Sequence, residues 1–351
     1  MKTHFRKNID SWRRDYNREY FWISTQDPYY IWLRETMLQQ TRVNQAAAYF
    51  NSFIKSYPTV HDLAAADEDD IMKLWQGLGY YSRARNLHTT AKHIVEEFNG
   101  IFPQDYDSLL ALKGIGDYTA SAIMSFSFGK PYVTMDGNVI RLFARYFGIN
   151  GDVSRKAVKD EILRLANEMM HSFDPSVFNQ AIMDFGAEIC KWRSPECGNC
   201  PLNEKCIAFN KGIVDQLPVK KKKALKRKRY FNFLVIRSND KFVIEKRSDN
   251  DIWKGLFQFP LIESNKVLAY EEIKSKLTEE LKLKETDIKV NEEHQEYKQV
   301  LSHQMIYARY WTIESYKDYK SRNCISVDKL TLSLYAYPKV IDCYLKDNIL
   351  I

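Results

Sequence analysis

Four cysteines crowd into the seventeen residues CKWRSPECGNCPLNEKC, at Cys190, Cys197, Cys200 and Cys206, while the rest of the 351-residue chain holds only Cys324 and Cys343. Disulfides, zinc and iron-sulfur clusters all use such a density. Disulfide frameworks belong to small secreted domains, and this chain is neither small nor led by an apolar signal segment. Structural zinc sites usually come as two close pairs. Here one tight pair is flanked by two singles, C-x6-C-x2-C-x5-C, so four thiolates could converge on the corners of a cube; zinc stays open as the alternative.

Two carboxylates could carry acid-base or electrostatic chemistry. Glu35, in WLRETMLQQT, has apolar neighbours along a helical pattern. Such a setting disfavours the charged form of a carboxylate and lets it act as an acid near neutral pH, the alternative being an ordinary exposed glutamate. Asp136, in VTMDGNVIRLF, stands on a turn leading into a helix, where the plain reading is an N-cap. Gly114 and Gly116 in LKGIGDYTA punctuate a turn between two helices; backbone N–H groups exposed there can hold a phosphate without a cationic side chain. Close αα packing is the other reading. A second glycine turn, QGLGYYSRARN, sets Arg83 and Arg85 beside two tyrosines, which suits stacking and backbone contact with a distorted nucleic acid.

Length favours two domains. The composition is globular, with 45% hydrophobic and 28% charged residues and a net charge of +7. Between Lys220 and Arg229, KKKKALKRKR places eight basic residues in ten. Its partner is a polyanion or, failing that, only solvent. We therefore expect a helical domain over 1–215, a basic linker over 216–229 and a second domain over 230–351. Apolar spacing predicts helices through 28–58, where Trp32, Thr36, Leu38, Val43, Ala46 and Phe50 follow a 3.6 period, and again at 68–75, 84–98, 106–112, 118–126, 138–147, 155–170 and 175–185. The second domain opens on a hairpin signal, RYFNFLVIRSNDKFVIEKR, followed by the amphipathic EEIKSKLTEEL and a late strand, SHQMIYARYWTIE; it reads as α+β. No run of about 18 apolar residues occurs, so a soluble, cytoplasmic, nucleoid-associated protein is expected, with no membrane partner.

Taken in order, LRETMLQQT, LGYYSRARNL, LKGIGDYTA, MDGNV and the cysteine cluster closely resemble the MutY-type adenine DNA glycosylases of the helix-hairpin-helix superfamily, over most of residues 20–206. The resemblance implies an all-α helix-hairpin-helix glycosylase domain with its active site in a cleft, and a 4Fe-4S cluster on Cys190, Cys197, Cys200 and Cys206. The cluster would position a loop whose Lys191, Arg193 and Lys205 face DNA phosphates. The implied substrate is double-stranded DNA bearing adenine opposite 8-oxoguanine or guanine, met by a monomer. Glu35 would protonate adenine N7 and manage the attacking water. Asp136 would stabilise the cationic sugar, with Asn138 and Tyr118 in support. Gln39, Gln40 and Tyr80 would contact DNA, Gln40 and Tyr80 as wedges that help flip the base.

Further positions refine that expectation. Sister endonuclease III enzymes carry a lysine where this chain has Tyr118, and a tyrosine cannot form the imine that cuts the strand. GLFQFPLIE and the helix after it resemble the family's Nudix-like C-terminal domain, but the metal-binding glutamate pattern is missing, which suggests recognition without hydrolysis. Ser302 and His303 match the loop that contacts 8-oxoguanine, while Leu301 replaces its aromatic. Trp22 fits the family pattern, Ile23 replaces an expected arginine, and Gln180 is placed facing the cleft. Cys324 and Cys343 are expected as buried core thiols. The rival readings are a bifunctional glycosylase and lyase, and a DNA-binding protein without catalysis.

Overall fold

The computed structural model describes residues 1–16, 25–171, 173–220, 225–247, 251–281, 283–317 and 323–351. Trp22 and Ile23 lie outside them. The chain divides into two compact units, Met1–Ala65 with Thr89–Lys222, and Ala66–His88 with Lys223–Ile351.

Helices run in the order α1 (Lys2–Asp15), α2 (Pro28–Leu38), α3 (Val43–Ser56), α4 (Val60–Ala65), α5 (Glu68–Leu74), α6 (Ser82–Phe98), α7 (Tyr106–Ala111), α8 (Asp117–Phe126), α9 (Gly137–Phe147), α10 (Lys156–Met170), α11 (Pro175–Glu188) and α12 (Ile207–Asn210). Side-chain caps start several of them. Asp27 accepts from Tyr29 N at 2.8 Å with Pro28 in the first turn, and Asp174 caps α11 ahead of Pro175 in the same way. The long helical pattern through 28–58 is broken after Leu38. Gln40 adopts φ +60°, and Thr41 N closes back on the Leu38 carbonyl at 3.2 Å, so α2 and α3 meet at a corner. Apolar spacing alone could not reveal that corner, because it continues across it.

Between α7 and α8 the glycine turn has the expected form. Gly114 takes φ +82°, Ile115 is buried, and Gly116 is the N-cap of α8. Behind these elements, Phe5 of α1 packs on Phe143 and Tyr146 of α9, within a core that also takes Phe178 and Phe185 of α11. Each such side chain contributes about 1.5–3 kcal/mol of burial.

The second unit is built on a mixed seven-stranded sheet: β1 (Arg227–Ser238), β2 (Lys241–Lys246), β3 (Phe257–Gln258), β4 (Leu261–Ser264), β5 (Ile288–Val300), β6 (Gln304–Ser315) and β7 (Cys324–Asp328). Its central path is β3-β2-β1-β6-β5, with β1 and β6 parallel. The β1–β2 hairpin turns on Asn239 and Asp240, both at positive φ, as a tight two-residue turn requires. α13 (Tyr270–Leu281) covers one face through Ile273 and Leu277, and α14 (Lys339–Asp347) stacks Tyr344 on Tyr310. The segment 66–88 belongs to this unit: Lys73 Nζ donates to the Tyr335 carbonyl at 2.9 Å, and Gln76 Nε2 to Asp342 at 2.8 Å. Cys324 and Cys343 are half-buried rather than core thiols, Cys324 on the strand β7 and Cys343 on α14.

The helical fold and the Nudix-like α+β fold stand, and the iron-sulfur expectation is corrected. Among the described residues no group of three or more His, Cys, Asp or Glu side chains could hold a metal ion. Cys190, Cys197, Cys200 and Cys206 are free, and they line an apolar hollow of about 30 Å³. Burial pushes the Cys200 thiol up to about 12 and raises Cys197 and Cys206 as well. Cys206 Sγ donates to the Arg145 carbonyl at 3.6 Å, whereas a ligand must be a thiolate. What holds the loop is arginine. Arg145, 2% exposed, donates to the carbonyls of Lys191 (2.7 Å), Leu217 (3.0 Å), Val214 (3.1 Å) and Trp192 (3.3 Å). Lys191 pairs with Glu196 and Lys205 with Glu204, while Arg193 is exposed.

Candidate active site

A cavity of about 510 Å³ opens among α2, α8, α9 and α11, a volume that suits a small planar ligand. Glu35, Gln39, Gln40, Tyr118, Asp136, Asn138 and Gln180 all line it. Residues spread over 146 positions of sequence thus reach one wall through four helices.

Glu35 is 3% exposed. Its Oε1 accepts from Arg34, 2.7 Å from both Nε and Nη2, and its Oε2 accepts from the Tyr118 hydroxyl at 2.6 Å. Arg34 in turn lies over the Phe126 ring, 5.1 Å from its centre. Burial, followed by the charges of Glu35 and Asp136, holds the Tyr118 phenol well above its usual range. Tyr118 therefore stays protonated and remains a donor.

Asp136 is the N-cap its local sequence allowed, and it also lines the cavity. As the N-cap of α9, its Oδ1 accepts from Val139 N at 2.7 Å, and its Oδ2 faces Asn138 Nδ2 at 2.8 Å. Burial raises it above the ordinary aspartate value, with these hydrogen bonds pulling the other way. Asn138 is itself fixed, since its Oδ1 accepts from Arg141 Nη2 at 2.9 Å. Arg141 also donates to the carbonyls of Gly186 and Cys190, at 2.5 and 2.6 Å. Gly186 is required there, because a Cβ would come within 2.6 Å of the Asn138 Cβ.

The other expected contacts divide between the units. Gly114 and Gly116 form the α7–α8 turn of the first unit; Gln39 Nε2 reaches Thr119 Oγ1 at 3.2 Å, and Gln180 Nε2 reaches Asp184 Oδ1 at 3.0 Å. In the second unit the Tyr80 hydroxyl and Ser302 Oγ are 2.7 Å apart, and His303 is exposed beside them in sequence. Gln40 and Tyr80, the two expected wedges, both hold positive φ, +60° and +48°. Non-glycine residues rarely do, and such strain gathers where function needs a side chain aimed outward. Arg34, Met183 and Asp184 were not anticipated. Only Arg34 carried a signal, as a charge beside Glu35 in an otherwise largely apolar helix.

Residues 33–168 match the family described as "HhH-GPD superfamily base excision DNA repair protein", and residues 232–347 match "NUDIX domain". An adenine DNA glycosylase of Buchnera aphidicola subsp. Schizaphis graminum is 41% identical over 68% of this chain and 69% of its own length. That of Buchnera aphidicola subsp. Baizongia pistaciae is 36% identical over 86% and 84%. Among solved structures, a thermostable thymine-DNA glycosylase superposes with a TM-score of 0.55 at 28% identity, covering 60% of this chain and 97% of that one. With that ancestry and the cavity described above, the chain belongs to the adenine DNA glycosylases of the HhH-GPD superfamily.

Proposed function

We propose that this chain removes adenine standing opposite 8-oxoguanine or guanine in double-stranded DNA, with water as nucleophile and the strand left uncut. That it is an adenine DNA glycosylase of base excision repair, hydrolysing the N-glycosidic bond, follows from its relatives; the base opposite, the fate of the strand and the residue roles are the proposal.

The flipped adenine enters the α2–α8–α9–α11 cavity. Glu35 enters the step protonated and gives that proton to adenine N7, so the base departs neutral. The electron pair of the C1′–N9 bond leaves with it. Asp136, as a carboxylate held by its N-cap and Asn138 hydrogen bonds, faces the positive charge that develops on the sugar. Water then adds to C1′ and returns a proton to Glu35, which restores the starting state. Tyr118 and Arg34 fix the Glu35 carboxylate, and Arg141 fixes Asp136 through Asn138.

The observation that carries the reading is the 2.6 Å hydrogen bond from Tyr118 to Glu35. It puts a phenol, with no amine, beside the acid, so no residue at that position can form an imine with the sugar. Duplexes with A opposite 8-oxoguanine, G or T, each read before and after alkali, test this. Breaks that require alkali, at the first two adenines and not at A opposite T, are expected. Breaks without alkali would overturn the proposed fate of the strand.

A further inference from the structure

The basic run Lys220–Arg229 was read from sequence as a partner for a polyanion, yet its last residues turn to another use. Arg227–Arg229 begin strand β1, which lies parallel to β6 with Arg227 opposite Gln304. Strands β5 and β6 pair from Val300 and Met305 onward, so Leu301–Gln304 makes the turn between them and carries Ser302 and His303 at its tip.

The turn is gripped at every residue. Leu301 N donates to the Gln304 carbonyl at 2.8 Å, and the Leu301 carbonyl accepts from Lys226 Nζ at 2.7 Å. Ser302 Oγ meets the Tyr80 hydroxyl at 2.7 Å, and the His303 carbonyl accepts from Arg227 N at 3.0 Å. Gln304 Oε1 accepts from Arg229 Nη1 at 3.0 Å.

Arg229 is the fixed point of this grip. It is 6% exposed and spends all five N–H donors. Two go to Glu263 at 2.7 and 2.6 Å, two to Asp251 at 2.9 and 2.6 Å, and the fifth to Gln304. Bidentate carboxylates on two sides leave the guanidinium no freedom to rotate. Its fifth donor therefore points in one direction, at the root of the turn.

We propose that Arg229 and Lys226 are positioning residues for the base opposite the adenine: by fixing the Leu301–Gln304 turn they set the preference for 8-oxoguanine over guanine. This rests on the reading of Ser302 and His303 as the contacts to that base. The two bases differ by a carbonyl at C8 and a hydrogen at N7, so discrimination depends on a polar group standing at hydrogen-bond distance. Hydrogen bonds weaken steeply with misalignment, and a turn released by a fraction of an ångström loses the distinction while still touching the base.

The experiment uses the full chain and compares kcat/KM on A:8-oxoG with that on A:G, together with the single-turnover rate on A:8-oxoG at saturating enzyme. Ser302→Ala and His303→Ala test the underlying reading. Lys226→Ala and Gln304→Leu release the turn and leave the buried Arg229–Asp251–Glu263 set intact, and Gln304→Glu keeps an acceptor for Arg229. All the releasing variants should lower the 8-oxoguanine preference, by about 10-fold for Gln304→Leu, with the saturating rate unchanged and the preference kept in Gln304→Glu. If the tip variants lower the preference and the releasing variants do not, the positioning role is wrong. If the tip variants leave it unchanged, the reading of Ser302 and His303 falls first and the proposal with it. A saturating rate that drops in parallel with the melting temperature in Lys226→Ala or Gln304→Leu would mark these contacts as merely structural and overturn the proposal too.

Discussion

The Tyr118 hydroxyl, at the start of α8, donates to Glu35 Oε2 on α2 at 2.6 Å, and it joins the helix-hairpin-helix turn directly to the buried carboxylate. A hydrogen bond from a neutral phenol to a carboxylate is worth about 1.5–3 kcal/mol when sheltered from water. Because α8 begins at the Gly116 cap, the turn sets the height of Tyr118 above Glu35.

Replacing Tyr118 by phenylalanine removes that donor, together with the hydroxyl's weaker 3.8 Å contact to Met183 Sδ. The single-turnover excision rate should fall about 10-fold or more, with duplex affinity retained. An unchanged rate would mean that Tyr118 does not hold Glu35 during the reaction. Tyr118→Lys is the sharper substitution: it introduces the amine that the wild type lacks. Borohydride should then trap a covalent protein–DNA adduct that the wild type does not give, and failure to trap one would place position 118 out of reach of the sugar.

Asp136 has a stability signature of its own. Burial lifts it above its ordinary value of 3.8, so its charge costs folding free energy at higher pH. Asparagine caps a helix as well as aspartate does. Asp136→Asn should therefore melt at the same temperature as wild type or higher at pH 7, and this advantage should vanish as pH falls below about 3.8, where the unfolded aspartate is protonated too. Excision should drop by about 100-fold or more in the same variant. In the wild type, the rate should fall on the acid side as the carboxylate takes up a proton, at a pH above 3.8. Melting that drops by several degrees at pH 7 would show that the charge supports the fold.

Arg145 is predicted to be the anchor of the cysteine loop. Arg145→Leu leaves the carbonyls of Lys191, Trp192, Val214 and Leu217 without their buried donor. A loss of about 3 kcal/mol or more is expected, together with faster proteolytic nicking within 190–217. Nicking at the wild-type rate would show that the loop is held by something else.

Much of the site was legible because its residues sit at fixed offsets from backbone signals: Tyr118 two residues after a capping glycine, Asp136 at an N-cap, Glu35 in the last turn of a helix. The N-cap reading of Asp136 leaves one oxygen over, since one caps α9 while the other faces Asn138. Arg34 escaped notice because helix periodicity does not separate a surface arginine from one folded back over Phe126. Arg141 and Arg145 escaped for the same reason: at i and i+4 on α9 they look like surface charges, yet both turn inward to loop carbonyls. The cysteine spacing misled in the opposite direction. Sequence distance suggested convergence on a metal, whereas the four cysteines are free and line a small apolar hollow with no metal-binding group among the described residues. The break after Leu38 and the placement of 66–88 with the C-terminal sheet depend on backbone angles and distant partners that no local pattern encodes.

The central claim is that Glu35 supplies the proton that lets adenine leave. It is tested most directly by single-turnover excision on one A:8-oxoG duplex with wild type and Glu35→Gln, with DNA binding measured on the same samples. The account predicts equal binding within a few-fold and excision slower by about 100-fold or more in the variant. Excision at the wild-type rate by Glu35→Gln would contradict it and move the search for the acid to another residue of the cavity.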